Sequence, residues 1–194
     1  MSSYKSSVSG MYIILVSLGS FILAVFFFWL SNILSEKVQS LTLSIIFLII
    51  IILVGILADI LGVSVTAASE APLHAKASKK VKGAAEGVFL IRNADRVANL
   101  ANDVVGDIAG TVSGALGISL VLQLLLYWKE SSQLLLNMLL TAVIAAATVG
   151  GKAYGKRIAL VHAEEIVFMA GRLMHGISRL TGKDFTTKSK KTSR

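Results

Sequence analysis

Residues 41–72 read LTLSIIFLIIIILVGILADILGVSVTAASEAP, and from Leu41 to about Ala68 the only charged residue is Asp59. About 20 mostly apolar residues carry a helix across roughly 30 Å of hydrocarbon. The stretch therefore predicts a membrane-spanning helix. Three more qualify: Met11 to Leu34, Val104 to Trp128, and Leu134 to about Gly151. Over the whole chain 55% of residues are hydrophobic and 15% charged, with a mean hydropathy of +0.76. A soluble fold of 194 residues could not hide that much apolar surface. The expected fold class is an all-α integral membrane protein with four transmembrane helices plus two amphipathic juxtamembrane helices. The first span is read as a retained anchor, because its apolar run is longer than that of a signal peptide and no clear cleavage site follows.

Basic residues set the orientation. Lys76, Lys79, Lys80, Lys82, Arg92 and Arg96 lie between the second and third spans. Lys152, Lys156, Arg157 and the tail through Arg194 follow the fourth. Both segments are expected on the cytoplasmic side. The short connections Ser35–Ser40 and Lys129–Gln133, with one Glu and one Lys each, are expected outside. A multi-pass protein of the cell membrane with both termini cytoplasmic follows, in agreement with Lys5. The formal charge of +8 then points to the bilayer and its anionic headgroups as partner rather than to nucleic acid, since no base-reading module is visible.

Two cytoplasmic stretches have helical amphipathic spacing. In one, Val81, Ala84, Val88 and Ile91 oppose the lysines. In the other, Ile158, Val161, Ile166, Met169, Leu173, Ile177 and Leu180 oppose Arg157, Glu164, Arg172, Arg179 and Lys183. They are expected to lie on the membrane surface, the competing reading being that they pack on each other as a small cytoplasmic hairpin. The expected organisation is an N-terminal anchor over 1–40, a transmembrane domain over 41–182, and a basic, disordered tail over 183–194.

Ionisable residues inside spans are functional candidates by default. Asp59, Val63, Thr66 and Glu70 have the spacing of one helical face, and Pro72 would let that helix bend or stop just beyond it. Asn99, Asp103, Asp107 and Thr111 recur at intervals of four at the start of the third span. With Ser69 and Asn102 beside them, the candidate ligands are Asp59, Thr66, Ser69, Glu70, Asn99, Asn102, Asp103 and Asp107. Carboxylate, amide and hydroxyl oxygens suit Mg²⁺ first, and another divalent cation or Na⁺ second. The competing reading makes Glu70 and Asp103 interfacial caps or ion-pair partners of nearby Lys and Arg.

Gly106, Gly110, Gly114 and Gly117 on the third span, and Gly151 and Gly155 on the fourth, allow close helix approach within a subunit or between subunits, and a homodimer is expected. His74, His162 and His175 have no metal-ligand spacing and read as lone surface residues. There is no cysteine, no GxSxG and no phosphate-binding glycine loop, so no enzyme is expected.

At TAASEAPLHAKASKKVKGA and RNADR the chain resembles the membrane domain of the CorB/CorC and cyclin-M family of magnesium transport proteins. Glu70 matches the family's acidic residue after a small-residue run, and Asn93, Asp95 and Arg96 match its N-P-D-R-like element. GGKAYGKRIALVHAEE resembles its G-E-x-x-P-K segment, with Lys152 at the lysine. The likeness covers about residues 52–182, and the first span is an addition. Thr148 stands where the family has a second Glu, and Val105 stands near its Gly-Asn asparagine, so the ligand set would be rebuilt around Asp59, Asp103 and Asp107. The resemblance implies a membrane protein that mediates or senses divalent cation movement, without a CBS pair or the small C-terminal domain. The alternative is a non-transporting scaffold or partner subunit whose acids are structural.

Overall fold

The computed structural model describes residues 10–37, 40–128 and 132–181, all their regular structure being helical. Lys5, the charges Lys129 and Glu130, and the tail 183–194 lie outside the described residues. In order come α1 (Gly10–Lys37), α2 (Leu41–Ala67), α3 (Glu70–Ser78), α4 (Ala84–Arg92), α5 (Ala94–Ala98), a π-helical segment (Asn99–Gly106), α6 (Asp107–Tyr127), α7 (Gln133–Val161) and α8 (Ala163–Thr181).

Among the described residues three helices are long and apolar enough to cross a membrane: Leu41–Ala67, the continuous Ala94–Tyr127, and Gln133–Val161. Each exceeds the length that the hydrocarbon requires. The apolar run Ile14–Trp29 within α1 is shorter than these three. Its Ile14, Leu18, Phe21, Ile22 and Trp29 are nevertheless exposed on several faces, as lipid would favour and water would not.

Several expected boundaries move. The third span begins ten residues before Val104, at Ala94. The fourth runs on to Val161, so Lys152, Lys156, Arg157 and Ile158 belong to the helix rather than to a connection after it. The first amphipathic stretch is a hairpin: α3 ends at Ser78, and Lys80 and Gly83 take positive φ before α4 begins. Val81 therefore sits exposed in the turn. The bend near Pro72 also falls earlier, at Ala68–Ser69, and Pro72 occupies the first turn of α3, where a missing N–H costs little.

The chain divides into two compact units. The first comprises Ile108–Ile144 with the chain up to Ile52. Its interior is a stripe on α6, Ala109, Val112, Leu116 and Leu120, at the spacing of one helical face. Gly117 lets Ile144 approach, since a Cβ there would stand 2.5 Å from Ile144 Cδ1. Gln123 Nε2 donates to Ser44 Oγ at 3.2 Å, joining α6 to α2 by a polar link of the kind that helps specify helix pairing in lipid.

The second unit comprises Leu53–Asp107 with the chain from Ala145 onward. Val65, Leu73, Val88 and Val167 form its apolar centre, drawn from α2, α3, α4 and α8. The two amphipathic stretches pack on each other here, as the competing reading had it. A Cβ on Gly171 would overlap Gly83 O and come within 2.7 Å of Gly87 N, so α8 crosses α4 in backbone contact. Gly155 receives Ile60 in the same way, a Cβ there falling 2.7 Å from Ile60 Cγ1, and Gly151 receives Ile56. These glycines hold α7 against α2.

Candidate functional site

Asp59 is the acid that α2 carries into the interior of the second unit. Its side chain is 8% exposed, and Lys156 Nζ of α7 stands 3.9 Å from its Oδ2. That oxygen accepts no hydrogen bond among the described residues. One turn further along α2, Gly62 leaves its surface open and the Asn102 amide lies directly upon it: a Cβ at Gly62 would overlap Asn102 Oδ1 and fall 2.8 Å from Nδ2. Asn102 Oδ1 is likewise buried and without a hydrogen bond. Asp59 thus stands on α2 one turn before Gly62, where Asn102 lies, and each has a buried oxygen without a hydrogen bond.

Asn102 owes its position to the π-helical segment. Hydrogen bonds from i to i+5 are rare and turn side chains out of α-helical phase. The segment, Asn99–Gly106, carries Asn99, Asn102 and Asp103, and Asn99 bonds the Asp103 side chain within it. At that glycine Lys152 Nζ stands 3.3 Å from where a Cβ would be, and Gly55 O is 4.0 Å from the same point. Gly106 therefore leaves room for the Lys152 ammonium group, which forms no ion pair among the described residues. Lys152 and Lys156 sit one turn apart on α7, Lys152 against Gly106 and Lys156 beside Asp59.

The other expected ligands are placed elsewhere. Thr66 Oγ1 donates to its own helix, to Val63 O at 2.8 Å. Ser69 is exposed, and its backbone N donates to Glu164 Oε1 at 3.4 Å. Glu70 does not share the face of Asp59, because α2 ends at Ala67 and Glu70 opens α3. Its Oε2 lies 2.9 Å from His74 Nε2 and 3.2 Å from Arg92 Nε. The His74 hydrogen bond first, and then that of Arg92, hold the Glu70 carboxyl below its ordinary value. Asn99 Nδ2 donates to Asp103 Oδ2 at 2.6 Å, and both Asp103 and Asp107 are exposed. Among the described residues no three His, Cys, Asp or Glu side chains gather so as to hold a metal ion.

The histidines are not lone. His74 meets Glu70, His175 Nδ1 meets Glu86 Oε1 at 2.7 Å, and His162 meets Glu165 at 3.4 Å. Of the residues resembling the N-P-D-R-like element, Asn93 Nδ2 donates to Phe89 O at 2.8 Å where α4 turns into α5, and Asp95 and Arg96 are exposed. Lys156 and Gly62 went unrecognised in the sequence. The one usable signal was that a lone acid in an apolar helix needs a counter-charge.

These features are those of an all-helical protein with three helices long and apolar enough to span a membrane, in which, among the described residues, Asp59 is the buried carboxylate and sits near helix glycines and Lys156. No protein-family model matches the chain, and neither a curated protein nor a solved structure matches it.

Proposed function

We propose that this chain is a four-span protein of the cell membrane, with both termini cytoplasmic, that mediates or senses the movement of a divalent cation. Mg²⁺ is the first-choice substrate. The observation that carries the reading is that two buried oxygens lack hydrogen bonds, Asp59 Oδ2 on α2 and Asn102 Oδ1 on the π-helical segment that lies against the next turn of α2. One carboxylate and one amide suit an ion that keeps most of its water, as Mg²⁺ does. Lys156, with a flexible stem and a side chain 55% exposed, serves as the resident counter-ion that an arriving cation displaces toward water. Rearrangement of the helices around this site gives alternating access. The resemblance at Glu70, Asn93, Asp95, Arg96 and Lys152 to the magnesium transport family supports the same substrate.

The test is thermal unfolding of the purified protein with and without millimolar Mg²⁺, since a ligand of the folded state raises stability by linkage. Stabilisation should appear in the wild type, shrink in Asp59→Asn and Asn102→Ala, and persist in Glu165→Gln. For the topology, cysteines at Ser78 and Ser132 should react differently with an impermeant thiol reagent, only the second from outside.

A second reading, a scaffold or partner subunit with structural acids, is favoured by the local pairs that occupy Glu70 and Asp103. Equal Mg²⁺ stabilisation of the wild type and both variants would move it to first place.

A further inference from the structure

Helix α8 has three longitudinal sectors rather than two. Ala163, Val167 and Gly171 are buried, and this sector lies against α4. Next round the helix come Glu164, Glu165, Phe168, Arg172, His175 and Arg179, mostly polar. The remaining sector is Met169, Leu173, Ile177 and Leu180, spaced so as to share one face. All four are exposed, Leu173 at 71% and Leu180 at 89%. Leu160 and Val161, at the end of α7 just before the break at His162, are exposed as well.

We propose that this third sector of α8 lies in the lipid interface of the bilayer, with Arg172 and Arg179 reaching anionic headgroups. The proposal rests on the membrane class of the protein and not on the cation site. Three observations on the helix favour lipid as the occupant. First, α8 follows α7, a helix long enough to span, after a single-residue break, so it starts where a membrane helix ends. Second, the apolar sector adjoins a sector holding two arginines, the arrangement by which surface helices bury one face and hold anionic lipid with the other. Third, the hairpin packs against the Ala163, Val167 and Gly171 sector, while Met169, Leu173, Ile177 and Leu180 stay exposed among the described residues. A second copy of the chain is the weaker occupant, because pairing two such stripes would bring the arginines of both copies together.

The test uses the full chain in vesicles, with Trp29→Phe and Trp128→Phe removing the native indoles and Leu173→Trp placing one on the stripe. In vesicles containing phosphatidylglycerol, lipid brominated near the headgroup should quench most of the L173W fluorescence. The same probe introduced by Glu165→Trp, in the polar sector, should stay bright. Met169→Trp, one turn earlier on the stripe, serves if L173W does not fold. Quenching should fall in pure phosphatidylcholine and in Arg172→Gln/Arg179→Gln. Equal quenching there would overturn the headgroup contact. An unquenched L173W would overturn the proposal, and disulfide crosslinking of Leu173→Cys between copies would then identify a second chain as the occupant.

Discussion

Lys156 Nζ stands 3.9 Å from Asp59 Oδ2, near enough for charge attraction and too far for a hydrogen bond. The pair is lopsided, since the carboxylate is buried and the ammonium reaches water. Removing the lysine therefore strands a buried charge, whereas removing the acid only frees a lysine to extend outward. Lys156→Met should cost about 1–2 kcal/mol, below the range for fully buried pairs because solvent screens the lysine. Asp59→Asn should cost less, and the double variant less than the sum, as thermal unfolding of all four proteins would measure. Strict additivity would mean that the two residues do not interact.

The crossing of α8 over α4 depends on Gly171. A Cβ there meets the Gly83 carbonyl and Gly87 backbone, which cannot swing aside as a side chain can. Gly171→Ala should destabilise the second unit by about 1–3 kcal/mol, the range of overpacked cores. Gly176 in the same helix has nothing within 4 Å of its Cβ position. Gly176→Ala should be neutral or stabilising by roughly 0.5–1 kcal/mol, through helix propensity alone. Equal effects of the two variants in thermal unfolding would rule out backbone packing as the cause.

The glycines of α6 divide into two kinds. Gly117 is filled by Ile144 from the same protomer, whereas Gly110 and Gly114 have nothing within 4 Å of their Cβ positions. Gly110→Leu and Gly114→Leu therefore test association cleanly. If a homodimer uses this face, both should shift the protein toward monomer in sedimentation or crosslinking. Monomer stability should stay unchanged, because no contact within the protomer is lost.

Glu70 links α3 to α4 through His74 and Arg92, and its carboxyl is held below the ordinary value. A lowered native value means stability that is present above the unfolded value, about 4.3, and is lost as pH falls through the native one. Hydrogen exchange in α3 should accelerate on acidification through that window in the wild type, and much less so in Glu70→Gln. At neutral pH the variant should lose no more than about 1 kcal/mol, since the cluster is solvent-exposed.

Much of the helical framework was legible in residues 41–72 and their counterparts, because bilayer thickness imposes a length of apolar chain that composition alone reveals. The sequence could also place Asp59 in an apolar helix and name Asn102 as a candidate. It could not show that Glu70 leaves the stripe. The 4, 3, 4 spacing assumes an unbroken helix, and the chain breaks at Ala68–Ser69. Nor could periodicity reveal the π-helical segment, which changes the phase of the side chains between Asn99 and Gly106. The partners of Asp59 were decided by tertiary structure alone. Glycines at 62, 106, 151 and 155 let three helices approach closely enough to bring Asn102, Lys152 and Lys156 to one region. Such proximity depends on how helices pack, a long-range property that no local pattern of apolar and charged residues encodes.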